Sequence, residues 1–196
     1  MVKGLAVWLG GVALAAGLAM GVVYFVARED APPASSIAMP AGVQLVDQKG
    51  RPFTAADLKG KPTAIFFGFT YCPEICPTTL VDIGRWLEAL GKDADRLNVV
   101  FVSVDPERDT KEQLALYLSS FDPRIRGVTG SPQDIATVAK GFRVYYRKVP
   151  TEGGEYTMDH STAVYLMDAK GRFVEPVGYQ EPLERVMEKL RRLIGA

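Results

Sequence analysis

The chain has 196 residues and balanced charge, 23 Lys and Arg against 23 Asp and Glu, with two cysteines and a single histidine. Zero net charge leaves no electrostatic footprint for nucleic acid or for a strongly charged partner. The length sets one to two domains, and much of the 47% hydrophobic content lies at the N-terminus.

Residues 4–27 form a 24-residue run without a charge, preceded by Lys3 and followed by Arg28-Glu29-Asp30. As a helix this is long enough to cross a hydrocarbon core of about 30 Å with some tilt. The apolar part of a cleaved signal peptide is shorter, about 7–15 residues, and no small-residue cleavage site follows directly. We therefore expect an uncleaved membrane anchor over residues 1–30, its N-terminus in the cytoplasm. Without an Arg- and Ser-rich transit segment ahead of it, the bacterial inner membrane is the better match, with the rest of the chain in the periplasm. Disulfides persist in that compartment. Residues 31–42, rich in Pro, Ala and Ser, read as a linker. Residues 43–196 are enough for one domain that buries about 70% of its unfolded surface.

Within that domain, residues 43–47 and 51–53 read as a hairpin around Gln48-Lys49-Gly50. Residues 63–69 are a continuous apolar run, the pattern of a strand buried on both faces. Pro77 then opens a long helix. Residues 97–105 form a second central strand. A helix follows with Asp109 as its capping residue, and residues 127–130 make a short strand at best. Residues 131–140 read as a helix with Ser131 as N-cap and Pro132 in first position. Residues 144–149 are β-like, and a turn at residues 152–155 follows them. Residues 161–168 and 172–177 form a hairpin around Ala169-Lys170-Gly171, and an amphipathic helix from Pro182 closes the chain. This order implies a mixed sheet, parallel where helices cross over and antiparallel late, with an α/β arrangement like that of thioredoxin.

Both cysteines lie in Cys72-Pro-Glu-Ile-Cys76-Pro77, between the first central strand and the helix. A helix N-terminus favours the thiolate, which is both nucleophile and metal ligand. The pair by itself suits redox chemistry, metal binding, a structural disulfide or two buried thiols. His160 follows Asp159 and precedes residues 161–168, where a loop can pass near the cysteines. By itself such a histidine is more often a surface or satisfied core group. Asp159 could orient its ring, although neighbours in extended chain point opposite ways. Two thiolates and an imidazole are a soft set that suits Cu(I) and permits Cu(II). A structural zinc site wants four protein ligands, while a catalytic zinc with two Cys, one His and water stays open on ligand count. Asp105 and Pro106 are expected to shape a turn beside the site, and Met158 to pack. Phe66, Phe67, Phe69 and Tyr71 read as core and rim, and Tyr145 and Tyr146 as lining the approach.

Three blocks, Gly68-Phe-Thr-Tyr-Cys-Pro-Glu-Ile-Cys-Pro-Thr-Thr-Leu80, Val102-Ser-Val-Asp-Pro-Glu-Arg-Asp-Thr110 and Met158-Asp-His-Ser161, together resemble the Sco/SenC family. The resemblance runs from about Val43 to the last helix, and the N-terminal anchor is in keeping with it. Glu74 stands where many members have Asp. The resemblance implies a membrane-anchored, thioredoxin-like domain that binds one copper, as Cu(I) and/or Cu(II), through Cys72, Cys76 and His160. It also implies delivery of that copper to the copper-A-bearing subunit of cytochrome c oxidase during assembly, with a periplasmic copper donor upstream. The rival expectation is an enzyme, a thiol–disulfide oxidoreductase that reduces the cysteines of that subunit. There Cys72 would be the attacking thiolate and Cys76 the resolver.

Overall fold

The computed structural model describes residues 37–196. The expected membrane span over residues 4–27 lies outside the described residues, as do residues 31–36 of the expected linker. Among the described residues no helix is long and apolar enough to cross a membrane. Ile37–Ala196 is one compact unit. Ile37 and Met39 pack on its core, and the Ala38 N–H donates to the Gly141 carbonyl at 3.3 Å.

The strands are β1 (Leu45–Asp47), β2 (Pro52–Phe53), β3 (Thr63–Gly68), β4 (Asn98–Ser103), β5 (Ile125–Gly130), β6 (Tyr146–Pro150), β7 (Tyr156–His160), β8 (Val164–Met167) and β9 (Phe173–Val177). The helices are α1 (Ile75–Leu90), α2 (Lys111–Leu118), α3 (Pro132–Gly141) and α4 (Leu183–Ile194). Seven strands form a mixed sheet in the order β2-β1-β5-β4-β3-β8-β9. β3, β4 and β5 are parallel, joined by crossovers through α1 and α2, and β8 returns antiparallel to β3. This is the thioredoxin-like sheet flanked by helices that the sequence predicts.

β3 sits mid-sheet with all six residues buried, which is why its sequence is an unbroken apolar run and does not alternate. Phe66 and Phe101 meet in one part of the core, and Phe67 meets Phe142 and Tyr165 in another.

Three local expectations need correction. The weak strand near Val128 is a six-residue, inner strand. β5 looks poor in sequence because Gly127 and Gly130 are small for packing reasons: an added Cβ at Gly127 would strike Leu118, and at Gly130 it would lie 2.6 Å from Leu45. The N-cap of α2 is Thr110, whose hydroxyl receives the Gln113 N–H, because Asp109 is buried and engaged elsewhere. His160 does not enter from a loop. It is the last residue of β7, which pairs with β6 in a separate two-stranded sheet.

Asp47 fastens the edge of the main sheet. It is fully buried, and accepts from the Lys49 and Arg51 N–H groups and from the guanidinium groups of Arg51 and Arg126. Burial acts to raise its pKa, but these donors outweigh burial and hold it below the ordinary 3.8. The sign follows: a depressed carboxylate contributes stability above the unfolded value and loses it as pH falls through the folded one. Asp47→Asn is expected to cost about 1–3 kcal/mol at pH 7, with the gap to the parent protein shrinking as urea titrations are taken from pH 4 towards pH 2.

Candidate metal centre

β3 delivers the chain to the site, and the turn after it is fixed from below. The Thr70 N–H and hydroxyl both donate to Asp109, at 3.0 and 2.7 Å, and Ser103 at the end of β4 donates to the same carboxylate at 2.6 Å. Asp109 is fully buried, and burial pushes its carboxyl above the usual range. The segment from Thr70 to Cys72 is thereby tied to the parallel neighbour of β3.

α1 starts at Ile75 with Glu74 as N-cap, and Glu74 makes no side-chain cap bond. The sulfur of Cys72 fills that role, accepting the Cys76 N–H at 3.3 Å. One of the first-turn N–H groups that no helix can satisfy internally is thus given to a thiol. Pro77 sits third in the helix, where its missing N–H costs nothing. Cys76 is fully buried and Cys72 half-buried, both as free thiols.

His160 arrives from the other direction. In the β6–β7 ladder it lies opposite Tyr146, and its Nε2 is 3.4 Å from the Cys76 sulfur. Its Nδ1 is 2.9 Å from the Ser161 carbonyl. A carbonyl only accepts, so Nδ1 carries a proton towards Ser161, and Nε2 is the ring nitrogen that faces the thiols. Phe69 and Phe66 meet the imidazole edge-on, with ring centroids 5.7 and 6.3 Å away. Asp159 does not orient the ring. It points the opposite way along the strand and pairs with Arg147 at 2.8 Å.

The donor atoms of Cys72, Cys76 and His160 all lie within 4.8 Å of one another, the one such group of three or more His, Cys, Asp or Glu donors among the described residues. The two thiols divide their protons unequally. The hydrogen bond from Cys76, with help from His160 and the Cys76 and Glu74 N–H groups, pulls Cys72 down to about 4 against the opposing effect of burial. The same bond, burial and the Cys72 charge push Cys76 far up. At neutral pH the metal-free pair is one thiolate and one thiol.

This division is directly measurable. An ordinary thiol loses reactivity on the order of 100-fold between pH 8 and pH 6. Brief iodoacetamide treatment followed by peptide mass spectrometry is expected to label Cys72 at rates that differ less than about twofold across that range. Cys76 stays unlabelled. Equal labelling of both cysteines would contradict the assignment.

Other residues predicted near the site fall into place around it. Met158 is buried in the core. Asp105, also buried, is turned to Tyr156 and Arg108 and does not join the donor group. Tyr71 is exposed, with Arg108 over its ring. Tyr145 is exposed, and its N–H is bound by the Ser161 hydroxyl. Sequence reasoning missed the role of Gly68: a Cβ there would lie 2.7 Å from the Cys76 sulfur, so the absent side chain is the space the sulfur occupies. It also missed Tyr156, which carries no sequence signal, and Asp109, which was read only as a cap.

The SCO1/SenC family profile matches residues 35–195. The chain belongs to the SCO1/SenC family. The mouse mitochondrial SCO2 homolog is 41% identical over 156 residues, or 78% of this chain and 61% of that protein. The structure of Bradyrhizobium japonicum ScoI with copper bound aligns with a TM-score of 0.75 at 51% identity, covering 81% of this chain and 99% of that one. Yeast Sco1 with copper bound aligns equally well, TM-score 0.75, at 36% identity over 82% of this chain and 90% of that one. This SCO1/SenC chain spans between 49% and 61% of the length of its first curated relatives. Homologous structures thus hold copper, and this SCO1/SenC domain has a Cys–Cys–His group suited to it.

Proposed function

We propose that this domain is a copper metallochaperone that holds one copper ion through Cys72, Cys76 and His160. It then passes the ion to the copper-A subunit of cytochrome c oxidase during assembly. The observation that carries this reading is the convergence of two sulfurs and one imidazole nitrogen within 4.8 Å, in a chain whose copper-bound relatives share its fold. The donor set fits. Soft thiolates select Cu(I), which accepts three ligands, and the imidazole extends the set to Cu(II). A structural zinc wants a fourth protein ligand, and the donor group has three.

The geometry suits release as well as capture. Cys72 and His160 are partly exposed and Cys76 is buried. Incoming thiolates of an acceptor reach Cys72 and His160 first, and Cys76 is the last to let go. In this proposal residues 1–30 anchor the chain in a bacterial inner membrane, and the linker expected over residues 31–42 runs into the compact unit that begins at Ile37. That unit works in the periplasm, supplied by an upstream copper donor. Metal binding needs deprotonated, reduced thiols, so copper loading and a Cys72–Cys76 disulfide exclude each other.

A second reading, thiol–disulfide reduction, is supported by the low value of Cys72 beside a buried Cys76. The Cys72 thiolate attacks a partner disulfide and expels one partner thiolate. Cys76, on losing its proton, attacks the Cys72 sulfur and expels the second. The partner is reduced by two electrons and the Cys72–Cys76 disulfide forms.

The deciding experiment measures metal content and copper oxidation state on the purified chain, reduced and then oxidised. One copper per chain that is lost on disulfide formation is the expected result. Substoichiometric copper, or copper that survives oxidation, would rule out the chaperone reading.

A further inference from the structure

The strand that carries His160 belongs to a two-stranded sheet with no ladder to the seven-stranded one, so something other than sheet pairing must hold it against the cysteines. The side chain of Arg108 lies in the gap. Its Cζ is 3.7 Å above the Tyr156 ring, at the start of β7, and 4.6 Å from the ring of Tyr71, the residue before Cys72. Its Nη1 donates to the Tyr156 carbonyl at 2.9 Å, and its Nε to Asp105 at 2.5 Å. The Tyr156 hydroxyl donates to the other oxygen of Asp105 at 2.8 Å. Lys148 on β6 adds an outer tie, pairing with Glu107 at 2.5 Å while lying 4.6 Å from the Tyr156 ring.

We propose that Arg108 is a positioning residue for the metal centre. Lying over the rings of both Tyr71 and Tyr156 and bonded to buried Asp105, it clasps the His160 strand to the Cys72 loop and sets how near Nε2 stands to the sulfurs. The proposal rests on His160 being a metal ligand. A planar guanidinium suits this place because it lies over aromatic rings while its N–H groups reach Asp105 and the Tyr156 carbonyl, which an ammonium cannot do in the same fixed fork. Asp105 fixes the orientation of the plane, and the Ser103 hydroxyl in turn steadies Asp105 by accepting the Asp105 N–H at 3.0 Å.

Removing the cation outright would leave the Asp105 carboxylate buried and unpaired, so Arg108→Met risks losing the fold. Arg108→Lys keeps the charge beside Asp105 and deletes the stack and the bond to Tyr156, and it is the primary variant. Cu(I) affinity is measured by competition with a chromophoric chelator for the parent chain, Arg108→Lys, His160→Ala and the double variant. Arg108→Lys is expected to weaken binding about tenfold, the scale found for groups that orient metal ligands, and to change it less than about twofold once His160 is Ala. In the metal-free protein the amides of β6 and β7 are expected to exchange about tenfold faster in Arg108→Lys, with β3, β4 and β5 unchanged. An equal loss of affinity in both backgrounds, or no loss at all, would overturn the proposal. So would exchange that quickens evenly over the whole domain. Unchanged affinity in His160→Ala alone would refute the ligand assignment on which the proposal rests, and the exchange data would then still report whether Arg108 holds the strand.

Discussion

Gly68→Ala is expected to damage stability and metal binding together. The new Cβ would stand 2.7 Å from the Cys76 sulfur and 2.7 Å from Phe101 Cε2. Neither neighbour has room to move: both residues have 0% exposure, one on the first turn of a helix and the other on a central strand. Overpacking of this kind costs about 1–3 kcal/mol. Because the displaced atom is a donor, copper affinity falls with it, at least about tenfold by the scale for mispositioned ligands. Gly84→Ala is the control. It lies on α1, and the nearest atom to its added Cβ is Asp122 Cβ at 3.9 Å. There the same substitution is expected to stabilise by about 0.5–1 kcal/mol through helix propensity. Urea unfolding of the two metal-free variants gives opposite signs, and chelator competition separates the site effect from the fold effect. Matching stability losses at the two positions would show that the space beside Cys76 is not specifically filled.

The second large effect is expected from His160→Ala. Deleting a ligand exceeds the 10- to 100-fold penalty of disturbing one, so copper affinity should drop by more than about 100-fold. The fold should survive, because the imidazole is half-buried and its ring contacts are to Phe66 and Phe69, each worth at most about 1.5 kcal/mol. Thiol chemistry should survive too. Reduction of a disulfide peptide, which needs only the two sulfurs, is expected to continue in this variant, so metal binding and thiol exchange part company at a single residue. Near-parental copper affinity would sink the three-donor site.

The central sheet was legible because its physics is local. Residues 63–69 and 97–105 are largely buried on both faces, and burial on both faces writes itself as a continuous or near-continuous apolar run. Ser131 as N-cap is likewise confirmed, its hydroxyl receiving the Asp134 N–H. β5 was nearly lost because two of its six residues are glycines dictated by Leu118 and Leu45, which lie elsewhere in the chain. β7 was missed because Tyr156–His160 pairs with a largely exposed strand and so shows neither an apolar run nor clean alternation. Of the site, the cysteine pair announced itself by spacing. His160 was found because it is the only histidine, yet its setting at a strand end was not readable. What stayed hidden were groups defined by a partner far off in sequence: Gly68 by the Cys76 sulfur, Tyr156 by Asp105, Asp109 by Thr70. A cap residue and a buried tether look alike in sequence when both are aspartates beside a threonine.

The donors of the site are far apart along the chain, Cys76 and His160 being separated by 84 positions. During synthesis the two thiols therefore exist as a pair long before the imidazole does. A partly made chain holds the cysteines with no third donor, and α2, β5 and α3 are synthesised before β7 can present one. The complete three-donor site is thus a late product of synthesis. Once occupied it bridges segments on either side of that interval, and the metal ion joins them much as a crosslink closes a loop. Ligand binding to the native state alone shifts the folding equilibrium in proportion to RT ln(1 + [L]/Kd). In the proposed role, cargo and structural brace are the same ion, and giving it up is expected to loosen the domain that carried it.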